Sequence, residues 1–338
     1  MKKARPLNLA LQGGGSHGAY SWGVLDRLLE EDDLQIEGIS GASAGAMNAV
    51  ALAQGLVTGG PEGARETLER LWRKVSEMHI FSPVQRSPLD VMMGNWSLND
   101  SPSYVAQDLL SRIASPYQIN PLGINPLRAM LKSMIDFKAV KACQDVKLFI
   151  SATNVRTGRA KVFEHNDITA DVLAASACLP TLYQAVRIGG EYYWDGGFMG
   201  NPVIWPLIYH CTSRDVILVQ TTPVTRAKVP RTAMEISNRI SEISFNASLM
   251  SEMRAIAFVA KQLDEGALDP KRYKKMLMHR IHSEAKMDTL DPSSKVNAEW
   301  SFLCQMRDWG RAAAAHWLKT HKTKLGKASS LNVRKLYL

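Results

Sequence analysis

The stretch Ile36-Glu37-Gly38-Ile39-Ser40-Gly41-Ala42-Ser43-Ala44-Gly45-Ala46-Met47-Asn48-Ala49-Val50 decides how the chain is read. A short β-prone run enters Gly41-Ala42-Ser43-Ala44-Gly45, and a run of strong helix formers leaves it. The serine of such a G-x-S-x-G can be held in a strained turn with its Oγ exposed, at a helix N-terminus that favours developing negative charge. Small residues at Gly41 and Gly45 let strand and helix approach closely. Ser43 is therefore a candidate nucleophile. Gly, Ala and Ser also open many buried helices, so the pentapeptide alone leaves a plain structural turn open.

Upstream, Leu7-Asn8-Leu9-Ala10-Leu11 is a short apolar strand. It runs into Gln12-Gly13-Gly14-Gly15-Ser16-His17-Gly18 and then a helix with Tyr20, Val24, Leu25, Leu28 and Leu29 on one face. Strand, glycine turn, helix, strand and helix open a mostly parallel sheet. Gly13-x-Gly15-x-x-Gly18 has the spacing of a dinucleotide fingerprint. The acid that should end the second strand is Glu37, at its start, and no Gly-Lys-Ser/Thr is present. Consecutive glycines at a helix start have another use, leaving the N–H groups of Gly13, Gly14 and Gly15 unshielded for a tetrahedral oxyanion.

Downstream, residues 61–141 read as a helical insert, with helices at Ala64–Glu77, Ser103–Ile113 and Pro126–Ile135 broken up by Pro83, Pro88, Pro102, Pro116, Pro121 and Pro126. A lid or substrate-binding cap is expected there, with His79 as a structural histidine. Val146–Thr153 and Ala160–Phe163 form a hairpin around Thr157-Gly158, and a helix follows from Ile168 to Ala177. Val186–Ile188 and Glu191–Trp194 make a second hairpin, which ends in Asp195-Gly196-Gly197. Asn201-Pro202 opens the next helix, and Val216–Gln220 is a buried strand.

A nucleophilic serine needs a base. An α/β-hydrolase would place several strands before its serine and an acid and histidine after it, whereas Ser43 follows only the second strand. Asp195 at a strand end, with glycines behind it that let backbone come close, is a second candidate base. Asp-Gly-Gly by itself is also simply a turn.

At 338 residues, 46% hydrophobic and 22% charged, the chain can bury a sizeable core and is not a disordered protein. The net charge of +9 is concentrated late, in Lys271–Lys275 and the tail, and suits a solvated face or an anionic membrane surface. Four cysteines, Cys143, Cys178, Cys211 and Cys304, lack C-x-x-C spacing and fit buried free thiols in a reducing compartment. Met1-Lys2-Lys3-Ala4-Arg5 precedes too short an apolar run for a signal peptide, and Gly38–Pro61 reads as core strand and helix. A cytoplasmic protein that visits a membrane surface is the expectation.

Together, Gly13-Gly14-Gly15-Ser16-His17-Gly18, Gly41-Ala42-Ser43-Ala44-Gly45, Asp195-Gly196-Gly197 with Asn201-Pro202, and the small-residue helix Ala174–Pro180 resemble the patatin-like phospholipase family over roughly residues 5–225. The resemblance implies a three-layer α/β/α fold with a mostly parallel central sheet. It implies a lipid acyl hydrolase with a Ser43–Asp195 dyad and no histidine, an oxyanion hole from Gly13, Gly14 and Gly15, and support from Gly41, Gly45, Gly196 and Gly197. The substrate would be a lipid ester, of the phospholipid or lysophospholipid kind, with no metal or cofactor required. Many members carry Arg or Lys where this chain has His17, which reads as a helix-start packing residue, and a frequent Asp is replaced by Gln12, which can orient the loop.

Residues 1–225 are thus expected to form the catalytic domain and 226–338 a mainly helical extension. Met234–Leu263 and Val296–Leu318 read as helices, with a late strand near Met276–Ile281. The extension is expected to pack on the catalytic layer as an interfacial cover or a homo-oligomer contact, with a mobile tail from Ala328. Trp300, Phe302, Trp309 and Trp317 suit core packing rather than stacking of nucleic acid, which is not an expected partner. The rival to an enzyme is a membrane-associated binding or scaffolding protein on the same fold.

Overall fold

The computed structural model describes residues 4–338 apart from 81 and 83, so Met1–Lys3 and Pro83 lie outside the described residues. Its strands are β1 (Arg5–Leu11), β2 (Leu34–Gly41), β3 (Lys147–Asn154), β4 (Ala160–Glu164), β5 (Val186–Ile188), β6 (Glu191–Asp195), β7 (Asp215–Val219) and β8 (Leu277–Ile281). They form one sheet in which β3, β2, β1, β7 and β8 are neighbours in that order and all parallel. The hairpin partner β4 runs antiparallel to β3, and β6 pairs antiparallel with both β3 and β5.

Strand periodicity divides the core into two layers. Leu7, Leu9 and Leu11 of β1, Leu148 and Ile150 of β3, and Ile217 and Val219 of β7 face one side. Ala10, Phe149, Val216 and Leu218 face the other. Near-continuous apolar strands of this kind belong in a parallel sheet covered on both faces. The first face is covered by helices α1 (Gly18–Leu28) and α2 (Ala44–Ile80) and the late helix Trp300–His321. The second lies under Trp205–His210, the long helix Ala233–Asp264 and the C-terminal segment around Tyr337. The arrangement is α/β/α.

Three expectations change. Residues 61–80 belong to the core rather than a cap: they complete α2 after a break at Gly59–Gly60 and bury Ala64, Leu68, Leu71 and Trp72. The short helices from 126 to 142 join the same core through Met130, Leu131, Ile135 and Val140, so the stretch that stays peripheral centres on Pro102–Ile113, which buries no residue. The late strand expected near Met276–Ile281 forms as β8, but it extends the catalytic sheet instead of lying in a cover over it, pairing with β7 from Asp215/Leu277 to Val219/Ile281. The tail is seated rather than mobile. Leu331 N–H donates to Met278 O at 3.1 Å, and the buried Tyr337 donates its hydroxyl to Gln220 Oε1 at 2.6 Å.

The aromatics of the late helix pack as expected, with Phe302 and Trp317 buried and Trp300 stacked on Trp22 at 6.0 Å between ring centres. All four cysteines are free, and Cys143, Cys178 and Cys211 are buried. Among the described residues no helix is long and apolar enough to cross a membrane.

Candidate active site

The pairing along β3 explains why two residues 152 positions apart meet. Residues Phe149–Thr153 of β3 pair with β4 on one edge, so β2 and β6 must share the other. On that edge β2 runs parallel to β3 and ends with Gly41 opposite Ile150, while β6 runs antiparallel and ends with Asp195 opposite Ala152. The two strands therefore point their C-terminal ends at one another across two residues of β3. Ser43 and Asp195 emerge from those ends.

Ser43 is the one non-glycine residue with positive φ among the described residues, at 52°. Such a conformation costs about 1–3 kcal/mol and persists only where the surroundings hold it. The hold comes from several sides. Gly45 N–H donates to Ala42 O at 2.8 Å, Met47 N–H to Ser43 O at 3.1 Å, and Ser43 N–H to the buried Ser176 Oγ at 2.9 Å. A side-chain carbon on Gly41 would stand 2.7 Å from the Gly45 carbonyl carbon, so strand and helix approach as closely as small residues allow. Asn48, one turn into α2, donates to Gly18 O and accepts from Trp72 Nε1, both at 2.9 Å, which locks the helix in place.

Asp195 is 1% exposed. Burial pushes its carboxyl up from 3.8 to about 7, against the pull of the Gly197 N–H, at 2.7 Å, and of the nearby Ser43 hydroxyl. Its main chain is fixed by Asp195 N–H donating to Cys178 O at 2.8 Å and by Thr153 Oγ1 donating to Asp195 O at 2.8 Å. The helix α3 (Ala170–Ser176) and the turn after it thus touch both residues, through Ser176 and Cys178. Aromatic rings close the site beside Asp195. Phe245, from the helix Ala233–Asp264, lies against Gly197 and 4.9 Å from the Phe198 ring centre.

The glycine loop lies against the elbow: a side-chain carbon on Gly13 would stand 2.8 Å from both Ala42 O and Ser43 Cβ. Gln12 pins the loop with its whole amide. Its Oε1 accepts from Thr221 N–H (3.0 Å) and Thr222 N–H (2.9 Å), and its Nε2 donates to Asn201 O (3.1 Å) and Asn246 Oδ1 (3.3 Å). Gly13 N–H is not free, because it donates to Asn201 Oδ1 at 2.7 Å. Three open donors therefore become two. Gly14 and Gly15 N–H precede the first helical turn and have no hydrogen-bond partner among the described residues, as the first donors of a helix characteristically do not.

Other side chains fall outside this cluster. His17 is buried and its Nε2–H donates to Ser294 Oγ at 2.8 Å, since that hydroxyl is spent on Asp291 O. Burial, with Lys295 and Arg226 nearby, holds it well below the usual imidazole range, so it is a neutral packing residue. His279 bonds to Asp215 and Ser330, and His282 to Gln220 O and Asp288; neither is hydrogen-bonded to Ser43 or Asp195. Among the described residues no group of three or more His, Cys, Asp or Glu converges to hold a metal. Ser176, Asn201 and Asn246, which build the site's scaffold, carry no sequence signal of that role, since their partners are remote in the chain.

The family model described as patatin-like phospholipase matches residues 9–208, well over half of the chain. Among curated proteins, none matches the sequence. The solved structure of VipD from Legionella pneumophila is 16% identical over 89% of this chain and 66% of its own, at a TM-score of 0.37. The type III effector ExoU is 16% identical over 93% of this chain and 54% of its own, at a TM-score of 0.31. ExoU in its heterodimeric complex with SpcU, from the Pseudomonas aeruginosa type III secretion system, is 14% identical over 93% and 52%, at 0.33. The chain spans between about half and two thirds of the length of these proteins, and likeness of this degree carries no conclusion about activity. The family match, covering the glycine loop, the elbow and Asp195 in one span, shows that the chain belongs to the patatin-like phospholipase family.

Proposed function

We propose that the protein hydrolyses acyl esters of lipids, of the phospholipid or lysophospholipid kind, with Ser43 as nucleophile and Asp195 as its base. The observation that carries this reading is a serine on a strained elbow next to a buried carboxylate, where the ends of β2 and β6 converge along β3. An aspartate at its ordinary pKa is a poor base, but one pushed up to about 7 is matched to neutral pH. Asp195 takes the hydroxyl proton as Ser43 Oγ bonds to the ester carbonyl carbon, and Gly14 and Gly15 N–H receive the oxyanion. Collapse breaks the bond to the leaving oxygen, which takes the proton from Asp195. Water then attacks the acyl-enzyme, giving up a proton to Asp195. Loss of the fatty acid returns that proton to Ser43. Phe198, Phe245 and the exposed Met199 offer an apolar wall beside the site for an acyl chain.

Access to substrate fits peripheral contact with a lipid surface. The cap helix Pro102–Ile113 buries no residue and leaves Val105, Leu109, Leu110 and Ile113 exposed, and the chain carries +9 overall. Replacing Ser43 by Ala should cut hydrolysis of a short-chain nitrophenyl ester by at least about 10³-fold. Turnover equal to the parent protein's would remove Ser43 from the mechanism.

A further inference from the structure

Beside the glycine loop stands a cation that nothing above employs. Lys295 lies in the 3-10 turn Pro292–Val296 and packs its main chain against Gly15, where any side chain would collide with the Lys295 carbonyl. The same loop backs onto Ser43 through Gly13, and two residues of chain span at most about 7 Å. Lys295 is half-buried, yet among the described residues its ammonium has neither a carboxylate within 4.0 Å nor a hydrogen-bond acceptor.

The neighbouring charges do not balance it. The buried Glu242 is the one carboxylate that pulls on Lys295, and two guanidiniums already hold it: Arg226 at 2.5 Å and Arg239 at 3.0 Å. Arg226 spends its other donors on the Asp288 and Leu290 carbonyls, and Arg239 donates to Val224 O at 2.9 Å. His17, on the near side, is neutral. Glu242 is thus shared among Arg226, Arg239 and the more distant Lys295, while Lys295 stands in the turn packed against Gly15, beside the unpartnered N–H groups of Gly14 and Gly15. Burial draws the Lys295 ammonium below its ordinary value; Glu242 opposes this and Arg226 adds to it. A half-buried cation without a carboxylate or acceptor partner is open to an anion seated against it.

We infer that Lys295, backed by Arg226, forms an anion subsite that takes the phosphate of a glycerophospholipid while its ester lies at Ser43. The inference rests on the ester-hydrolase reading and names which lipid that site prefers. A phosphate oxyanion is the shared chemistry, and it could come from a lipid headgroup or from free inorganic phosphate. A charge-assisted contact at the subsite selects phosphorylated esters over neutral ones of the same acyl chain.

The test compares kcat/KM of the full chain on phosphatidylcholine in mixed micelles with that on an uncharged nitrophenyl butyrate. Lys295→Met should lower the ratio of the two by about 10–100-fold, and Lys295→Arg should restore most of it. Inorganic phosphate should inhibit the parent protein, and Lys295→Met should lose that inhibition if free phosphate reaches the same subsite. An unchanged ratio in Lys295→Met, at an unchanged melting temperature, overturns the inference. A variant that melts early is replaced by Lys295→Gln, for which the same ratio decides. A parent protein that cleaves the neutral ester but not the phospholipid overturns the subsite alone; one that cleaves neither overturns the ester-hydrolase reading itself.

Discussion

The elbow end of the sheet and the cap helix are built on opposite principles. At the elbow, Gln12 uses its whole amide on four partners, Gly13 N–H is tied to Asn201, Ser43 N–H to Ser176, and Asp195 N–H to Cys178. Those partners come from four separate segments, so no single element can shift without breaking hydrogen bonds in another. Pro102–Ile113 is the reverse. It has a proper start, with Ser101 accepting from Tyr104 N–H at 3.5 Å and proline at its first position, but no buried residue holds it down. A strained serine must be over-determined by its surroundings, whereas a segment meeting a fluid lipid phase gains from adaptability. On the proposed reading, rigidity lies where bonds change and looseness where substrate arrives.

The largest effect that would break this contrast lies at Asp195. Asp195→Asn keeps the shape and removes the base, so ester turnover should fall by at least about 10³-fold. Stability should move the other way. The raised pKa means that folding favours the protonated acid; its contribution is fully present below about pH 4 and is lost as pH rises through about 7. Above pH 7 the parent protein buries an ionised carboxylate, so the Asn variant should melt higher at pH 8 and at nearly the same temperature at pH 4. Thermal melts at the two pH values check the sign.

A smaller effect is expected at Gly13→Ala, whose new methyl would stand 2.8 Å from Ser43 Cβ. A nucleophile misplaced by about 1 Å can lose about 10²-fold in rate, and the loss should fall on kcat while far-ultraviolet circular dichroism is unchanged. The smallest effect on the fold belongs to the cap. Leu109→Ser with Ile113→Ser should alter stability by no more than about 0.5 kcal/mol per site, because both side chains are already exposed. The same pair should weaken binding to phospholipid vesicles, read by co-sedimentation. A large drop in melting temperature would show that the cap packs as firmly as the elbow.

The sequence made the local parts of this site readable. Ser43 sits between glycines at a strand-to-helix junction, and Asp195 precedes two more, so both announce themselves within a few residues. What brings them together does not. The end-on meeting of β2 and β6 depends on β3 offering one edge to both, which is a pairing between segments more than 40 residues apart. The same holds for Asn201, which takes a glycine N–H, and for Ser176, whose helix was legible only as a run of small residues. Residues after 225 misled most, because a late apolar run such as Met276–Ile281 shows a strand but not which sheet it joins, and Tyr337 anchors a lysine-rich tail that composition alone marks as loose. His17 was legible as packing, since its burial leaves it neutral.

The central claim is that Ser43 is a nucleophile activated by Asp195, and covalent labelling by a fluorophosphonate tests it most directly. Mass spectrometry should find the adduct on the Ser43 peptide, formed at a rate that climbs with pH through about 7 as Asp195 ionises. Asp195→Asn should label far more slowly, with that pH dependence gone. Labelling at another serine, or a rate at Ser43 indifferent to both pH and Asp195, would contradict the account.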